Sequence, residues 1–270
     1  MRESIIKRIR NLPPLPQTIE EFEKAYDDPN ASLKDIANIL SKDPMIVANI
    51  LKRVNSPFYS LRREIANLST AISLLGLSEV KAIVLESSIK KLLNIDMEPY
   101  GITAQDFSKI SQLQSHLMYR WYKKVDSRKL KFLTLWSLLQ EMGKIIISDE
   151  IIKDDLTMIF SSKIQNSVDI ASVEKSFVGT TTSKITAEMF KYWDFDEMMV
   201  ESIRYADDFK SAPEKYYEYS RALHIVKCAI PINMPLSDIA INRALNIAES
   251  EDMDTIFLKD AIDSLKDINF

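Results

Sequence analysis

Apolar residues recur along this chain every three or four positions, the spacing of helices that lie on a core. No stretch alternates regularly enough to build a strand ladder, and no internal repeat or low-complexity tract is visible. After a proline-rich entry, Leu12-Pro-Pro-Leu-Pro16, the residues Ile19, Phe22 and Tyr26 share one face of a first amphipathic helix. Ser32-Leu-Lys-Asp35 has the form of a capping box, in which hydroxyl and carboxylate satisfy each other's backbone donors. Asp43-Pro44 opens the next helix, with Asp as cap and Pro where no amide donor is needed. Its apolar positions are Val47, Ile50, Leu51 and Val54, and it stops near Asn55-Ser56-Pro57.

Two more helices are predicted over 67–75 and 78–93, separated by Gly76. Residues 94–102 lose the pattern and read as the boundary between an N-terminal subdomain, 1–95, and a C-terminal subdomain, 103–270. Thr103-Ala-Gln-Asp106 is a second capping box and opens a long helix toward Val125. The stretch 129–142 is strongly apolar on one side. Further helices are predicted near 169–178, 182–192, 196–206, 214–229, 237–249 and 255–266. The fold class is therefore all-α.

Composition removes several chemistries. The four glycines, Gly76, Gly101, Gly143 and Gly179, never cluster, so no phosphate-cradling loop is encoded. Cys228 is the single cysteine, which rules out an intrachain disulfide and a thiolate zinc cluster. No run approaches 18 uninterrupted apolar residues, and charges interleave with isoleucine at the start. Neither a membrane span nor a secretory signal is expected, and the cytoplasm is the simplest compartment. The net charge of −4 is uneven: residues 1–95 hold 14 basic and 11 acidic side chains, the remainder 21 and 28. Strong nonspecific binding to nucleic acid is not expected of such a chain.

The first 95 residues resemble the N-terminal half of the HD-related output domain (HDOD) family. The matching segments are Leu12-Pro-Pro-Leu-Pro16, Asp43-Pro44, Asn55-Ser56-Pro-Phe-Tyr59 and Ile65 through Ala71-Ile-Ser-Leu-Leu-Gly-Leu77 to Val80. Ser137-Leu-Leu-Gln-Glu-Met-Gly-Lys144 and Trp193 extend the likeness into the second half. The resemblance implies a helical core like that of HD phosphohydrolases and a role in bacterial signalling.

HD chemistry rests on a His, a His-Asp pair and a distant Asp that hold divalent metal, which acidifies a water for attack on phosphate esters. The resemblance places that pair at Gln140-Glu141, a further ligand position at Ser183, another at Ala206-Asp207 and the distal one at Val226 or Lys227. The amide of Gln140 is a poor substitute for imidazole, and a lysine at 227 would repel a cation. The chain has only two histidines, His116 and His224, too few for a di-metal site of that type. Both read as structural or surface residues, Cys228 as a small buried apolar group, and Glu141 and Asp207 as solvated or hydrogen-bonded helix carboxylates.

These positions imply a regulatory module without enzymatic activity, cofactor or bound metal, acting on a signalling protein or small ligand. Gln140, Glu141, Ser183, Asp207 and Lys227 would line a vacated cleft. Asn55, Phe58 and Tyr59 offer an alternative partner-binding loop. Two other readings stand beside it. One is a residual metal-dependent phosphohydrolase. The other is a DNA-binding regulator, whose recognition helix would present Asn49, Lys52 and Arg53.

Overall fold

The computed structural model describes residues 1–59, 61–93 and 95–266. Asn94 of the predicted boundary and residues 267–270 of the predicted second subdomain lie outside them. Of the described residues 74% are helical, and no strand occurs among them.

It divides into two compact units, Pro13–Asn94 and Met1–Leu12 with Ile95–Asp267. The first unit contains α2 (Gln17–Asp27), α3 (Leu33–Leu40), α4 (Pro44–Val54), α5 (Leu68–Leu75) and α6 (Leu77–Leu92), with a short 3-10 turn at Pro57–Tyr59. Ser32 and Asp35 form the predicted capping box. The Asp43 carboxylate accepts from the Met45 and Ile46 amides as cap of α4. Ile19, Phe22, Leu40, Ile50, Val54 and Ile72 are buried together as the apolar faces of these helices.

Arg53 is turned into this unit. Its guanidinium donates to Glu79 at 2.8 Å and to Glu86 at 2.9 Å, and only 5% of the residue is exposed. Asn49 donates to Ser87 at 2.9 Å. Two of the three polar residues offered as a DNA-reading face are thus committed inside the unit. Asn55 is likewise committed. Its amide donates to the carbonyls of Leu51 and Ile65, and its oxygen accepts from the Ile65 amide at 2.8 Å. Asn55 therefore closes the loop that leads to α5. The neighbouring Phe58 and Tyr59 rings are half-buried and meet edge-on at 5.0 Å.

The second unit holds α1 (Glu3–Arg10), α7 (Ala104–Val125), α8 (Ser127–Leu139), α9 (Gly143–Lys153), α10 (Thr157–Gln165) and α11 (Ile170–Val178). It continues with α12 (Thr182–Tyr192), α13 (Glu197–Arg204), α14 (Glu214–Ala229), α15 (Asp238–Ser250) and α16 (Thr255–Lys266). Single turns of 3-10 helix lie at Glu98–Tyr100 and Phe209–Ser211. Thr103 and Asp106 form the second predicted capping box. The 22 residues of α7 span roughly 33 Å and pack along α8.

Three helices escape the sequence pattern. In α1 the chain shows mostly charge, yet Ile5 and Ile9, four apart, are buried against this unit. Residues 1–12 consequently belong with the C-terminal unit, not with the N-terminal subdomain in which the sequence reading places them. In α9 the run Ile145-Ile-Ile147 is buried on every side, so it has no polar face to mark a period. In α10 Phe160 and Ile164 are buried while Met158 and Ile159 are exposed, which blurs the stripe.

Candidate ligand site

The site grows from the turn between α8 and α9. Gln140 caps α8 and Glu141 follows it in the turn, just before Gly143 starts the next helix. A side-chain carbon at Gly143 would stand 2.5 Å from the Thr182 carbonyl and 2.9 Å from the Thr186 amide, so only glycine lets α12 come this close. The Thr186 hydroxyl pins the crossing: it accepts from the Gly143 amide at 2.8 Å and lies 3.0 Å from the carbonyls of Gln140 and Thr182.

That approach brings five charged groups together from four stretches of chain. The Lys144 ammonium lies 2.7 Å from Glu174 Oε1 and 3.1 Å from Glu141 Oε2, and 5.2 Å above the centre of the Tyr100 ring. Glu174 also accepts from the Tyr100 hydroxyl at 3.0 Å and from the amide and hydroxyl of Thr182, both at 2.7 Å. The Lys227 ammonium lies 2.5 Å from Asp207 Oδ1 and 3.8 Å from Glu141 Oε1, and donates to the Ser183 hydroxyl at 2.9 Å. Asp207 accepts in turn from the Ser183 amide at 3.0 Å.

Burial by itself pushes the Glu141 and Asp207 carboxyls up, but the two ammonium groups outweigh it. Both are held below the ordinary carboxylate range, Asp207 far below. The reverse balance holds the lysines charged. Burial lowers them, and the carboxylates raise Lys144 above its usual value and Lys227 well above it. Glu141, Asp207, Lys144 and Lys227 are therefore all ionised at neutral pH. Buried charges are tolerated only when paired and hydrogen-bonded in this way.

Of the predicted cleft residues, Glu141, Ser183, Asp207 and Lys227 are brought together. Of the two readings given to Glu141 and Asp207, the hydrogen-bonded one holds and the solvated one does not: both are largely buried members of ion pairs. Gln140 stands apart. It is fully buried and donates to Gln114 at 2.9 Å, while Gln114 donates to the Ile230 carbonyl at 2.9 Å and to Glu141 at 3.3 Å. Gln140 thus ties α8 to α7 and does not line the cavity described below. Sequence reasoning missed Lys144 and Glu174. Lys144 had a local signal, three positions after Glu141 on the same helical turn. Glu174 had none, because α11 is joined to the cluster only by the fold.

A cavity of about 100 Å³ opens on this cluster. Glu141, Lys144, Glu174, Asp207 and Lys227 form its charged wall, and Val168, Ile170, Ala171, Pro231 and Ile232 its apolar one. Asp169, His224, Cys228 and Arg243 complete the lining. His224 Nδ1 is 2.7 Å from the Ala206 carbonyl, so the proton sits there and Nε2 faces the Cys228 sulfur at 3.4 Å. Burial lowers the histidine and raises the thiol to about 11, leaving both neutral at neutral pH.

A divalent metal does not fit this donor set. Glu141, Glu174 and Asp207 are each within 4 Å of a lysine ammonium, and no group of three or more His, Cys, Asp or Glu side chains is placed for a metal among the described residues.

The chain resembles solved structures along nearly its whole length. A virulence factor from Campylobacter jejuni subsp. jejuni is 25% identical, with 97% of each chain covered and a TM-score of 0.57. A protein from Shewanella amazonensis SB2B, whose name proposes a phosphohydrolase, is 19% identical, with 98% of this chain and 93% of that one covered and a TM-score of 0.73. An uncharacterized protein of Treponema pallidum (strain Nichols) is 22% identical over 223 residues, or 79% of this chain. This chain spans only 41% of that relative's length. The family profile described as HDOD domain matches residues 12–209, about three-quarters of the sequence. The chain belongs to the HDOD domain family.

Proposed function

We propose that this chain is a non-enzymatic regulatory module of signal transduction, which acts by binding a protein or small ligand through its C-terminal unit. One observation carries the reading: the ammonium groups of Lys144 and Lys227 are seated among Glu141, Glu174 and Asp207, where a catalytic metal would need the same oxygens. A tethered cation neutralises the carboxylates without offering an open coordination position. It therefore cannot acidify a water or polarise a phosphoryl oxygen.

The size of the cavity narrows the binding partners. At about 100 Å³ it is well under the several hundred Å³ that enclose a drug-sized ligand, so a cyclic dinucleotide would not enter it. The DNA-binding reading is weakened by the inward turn of Arg53 and Asn49.

Metal analysis of the purified protein, combined with a phosphodiesterase and nucleotidase screen supplemented with manganese, iron or magnesium, tests the proposal. The expected result is no stoichiometric transition metal and no turnover. Metal-dependent turnover that is lost in Glu141→Ala would overturn it in favour of a residual phosphohydrolase.

A further inference from the structure

Among the charged groups of the cavity, Arg243 is the exception. Each carboxylate in the lining is engaged: Glu141 and Glu174 with Lys144, Asp207 with Lys227, and Asp169 with the amide and hydroxyl of Ser172 as cap of α11. Arg243 is half-buried and makes no hydrogen bond or ion pair with any described residue. Two further residues of the lining, His224 and Cys228, are neutral at neutral pH. A guanidinium at a cavity wall without a carboxylate is a fork of donors lacking its acceptor.

A second feature lies in the lining of the same cavity. Ile170 and Ala171 are the first two residues of α11, whose amides have no acceptor within the helix. Neither amide donates to another group among the described residues. Arg243 on α15 and the start of α11 therefore both belong to the lining, with the Asp169 carboxylate already capping the helix.

Size and wall chemistry choose among anions. A cavity of about 150 Å³ encloses benzene, with six heavy atoms, so about 100 Å³ holds roughly four. Val168, Ala171, Pro231 and Ile232 give the cavity an apolar side that a phosphate could not use. The lining already carries four carboxylates against two lysines and one arginine, which disfavours a dianion more than a monoanion.

We propose that the cavity is a binding site for a short aliphatic carboxylate, its carboxylate on Arg243 and its alkyl end against Val168, Pro231 and Ile232. The site deepens the ligand-binding reading above and rests on it. The carboxylate supplies the acceptor that Arg243 lacks, and the alkyl group displaces water from the apolar wall.

Calorimetry and thermal unfolding with acetate, propionate and octanoate, at ionic strength matched with chloride, provide the test. Phosphate and propionamide, the neutral isostere of propionate, serve as comparisons. Saturable binding of acetate or propionate, absent with propionamide and weaker with phosphate and octanoate, is the expected result. Arg243→Gln should weaken propionate at least about tenfold, the cost of a lost charged hydrogen bond. Ala171→Glu provides a second variant, because an acidic residue in the first turn favours the helix while placing a repelling charge on the cavity wall. It should fold and fail to bind. Equal binding of propionamide, equal or tighter binding of phosphate, no effect beyond that of chloride, or propionate binding retained in both variants would each overturn the proposal. Turnover with added metal would instead sink the non-enzymatic reading and leave the carboxylate result to stand on its own.

Discussion

The Lys227 ammonium and Asp207 Oδ1 are 2.5 Å apart, and that pair seats a positive charge inside a carboxylate cluster. A group this deeply paired is costly to remove from one side only, because its partner is left buried and uncompensated. Lys227→Met should therefore lower stability by about 3–5 kcal/mol. Lys227→Met combined with Asp207→Asn should lose less than the two single variants together, by about 0.5–3 kcal/mol of coupling. Chemical denaturation of the four proteins measures this cycle, and strict additivity would mean that the pair contributes nothing.

Stability should depend on pH in two acid steps. His224 is held below its ordinary value of 6.5, so its contribution is complete above that value and is lost as the pH falls through the folded one. Glu141 and Asp207, with ordinary values of 4.5 and 3.8, are also depressed, and theirs is lost at lower pH still. Lys144 and Lys227 are raised above 10.5, so their contribution is present below that value and fades only as the pH rises through the folded values. The unfolding midpoint should decline first below roughly pH 6.5, and His224→Gln should remove that first step while leaving the second. An unchanged acid profile in His224→Gln would contradict the assignment.

Gly143→Ala should destabilise, although alanine is the better helix former by about 1 kcal/mol. The added carbon meets the Thr182 carbonyl at 2.5 Å, which is backbone and cannot swing aside. Overpacking of this kind costs about 1–3 kcal/mol. A stabilised variant in urea denaturation would show that α9 and α12 are not in close contact at this point.

In the first unit Asn55→Ala removes three hydrogen bonds that close one loop. Because Asn55 is exposed, water replaces part of what is lost, and a destabilisation of about 1 kcal/mol is expected. Hydrogen exchange should speed up at the Ile65 amide and leave α9 unaffected. Uniform acceleration over both would argue against a local clamp.

The sequence by itself determined the class and most of the elements. Ser32–Asp35 and Thr103–Asp106 are local pairs whose geometry follows from four consecutive residues, so both capping boxes could be read without a fold. The amphipathic helices were legible for the same reason: a half-exposed helix writes its orientation into its own period. Where burial is complete, as in Ile145-Ile-Ile147, or where apolar residues face outward, as in Met158-Ile159, that period vanishes and α9 and α10 went unseen.

Which groups meet was decided by the tertiary structure. Glu141 and Lys144 are neighbours on one turn, but Glu174, Asp207 and Lys227 reach them from α11, the turn after α13, and α14. Nothing in a single helix reports that a carboxylate on it is buried, since that depends on what packs across from it. The same limit hid the docking of α1, where two isoleucines among charges find their apolar surface more than 80 residues further along the chain. Local sequence sets backbone conformation through short-range sterics and hydrogen bonds. Charge pairing and solvent exclusion are set by contacts between distant segments, and only the assembled helices fix those.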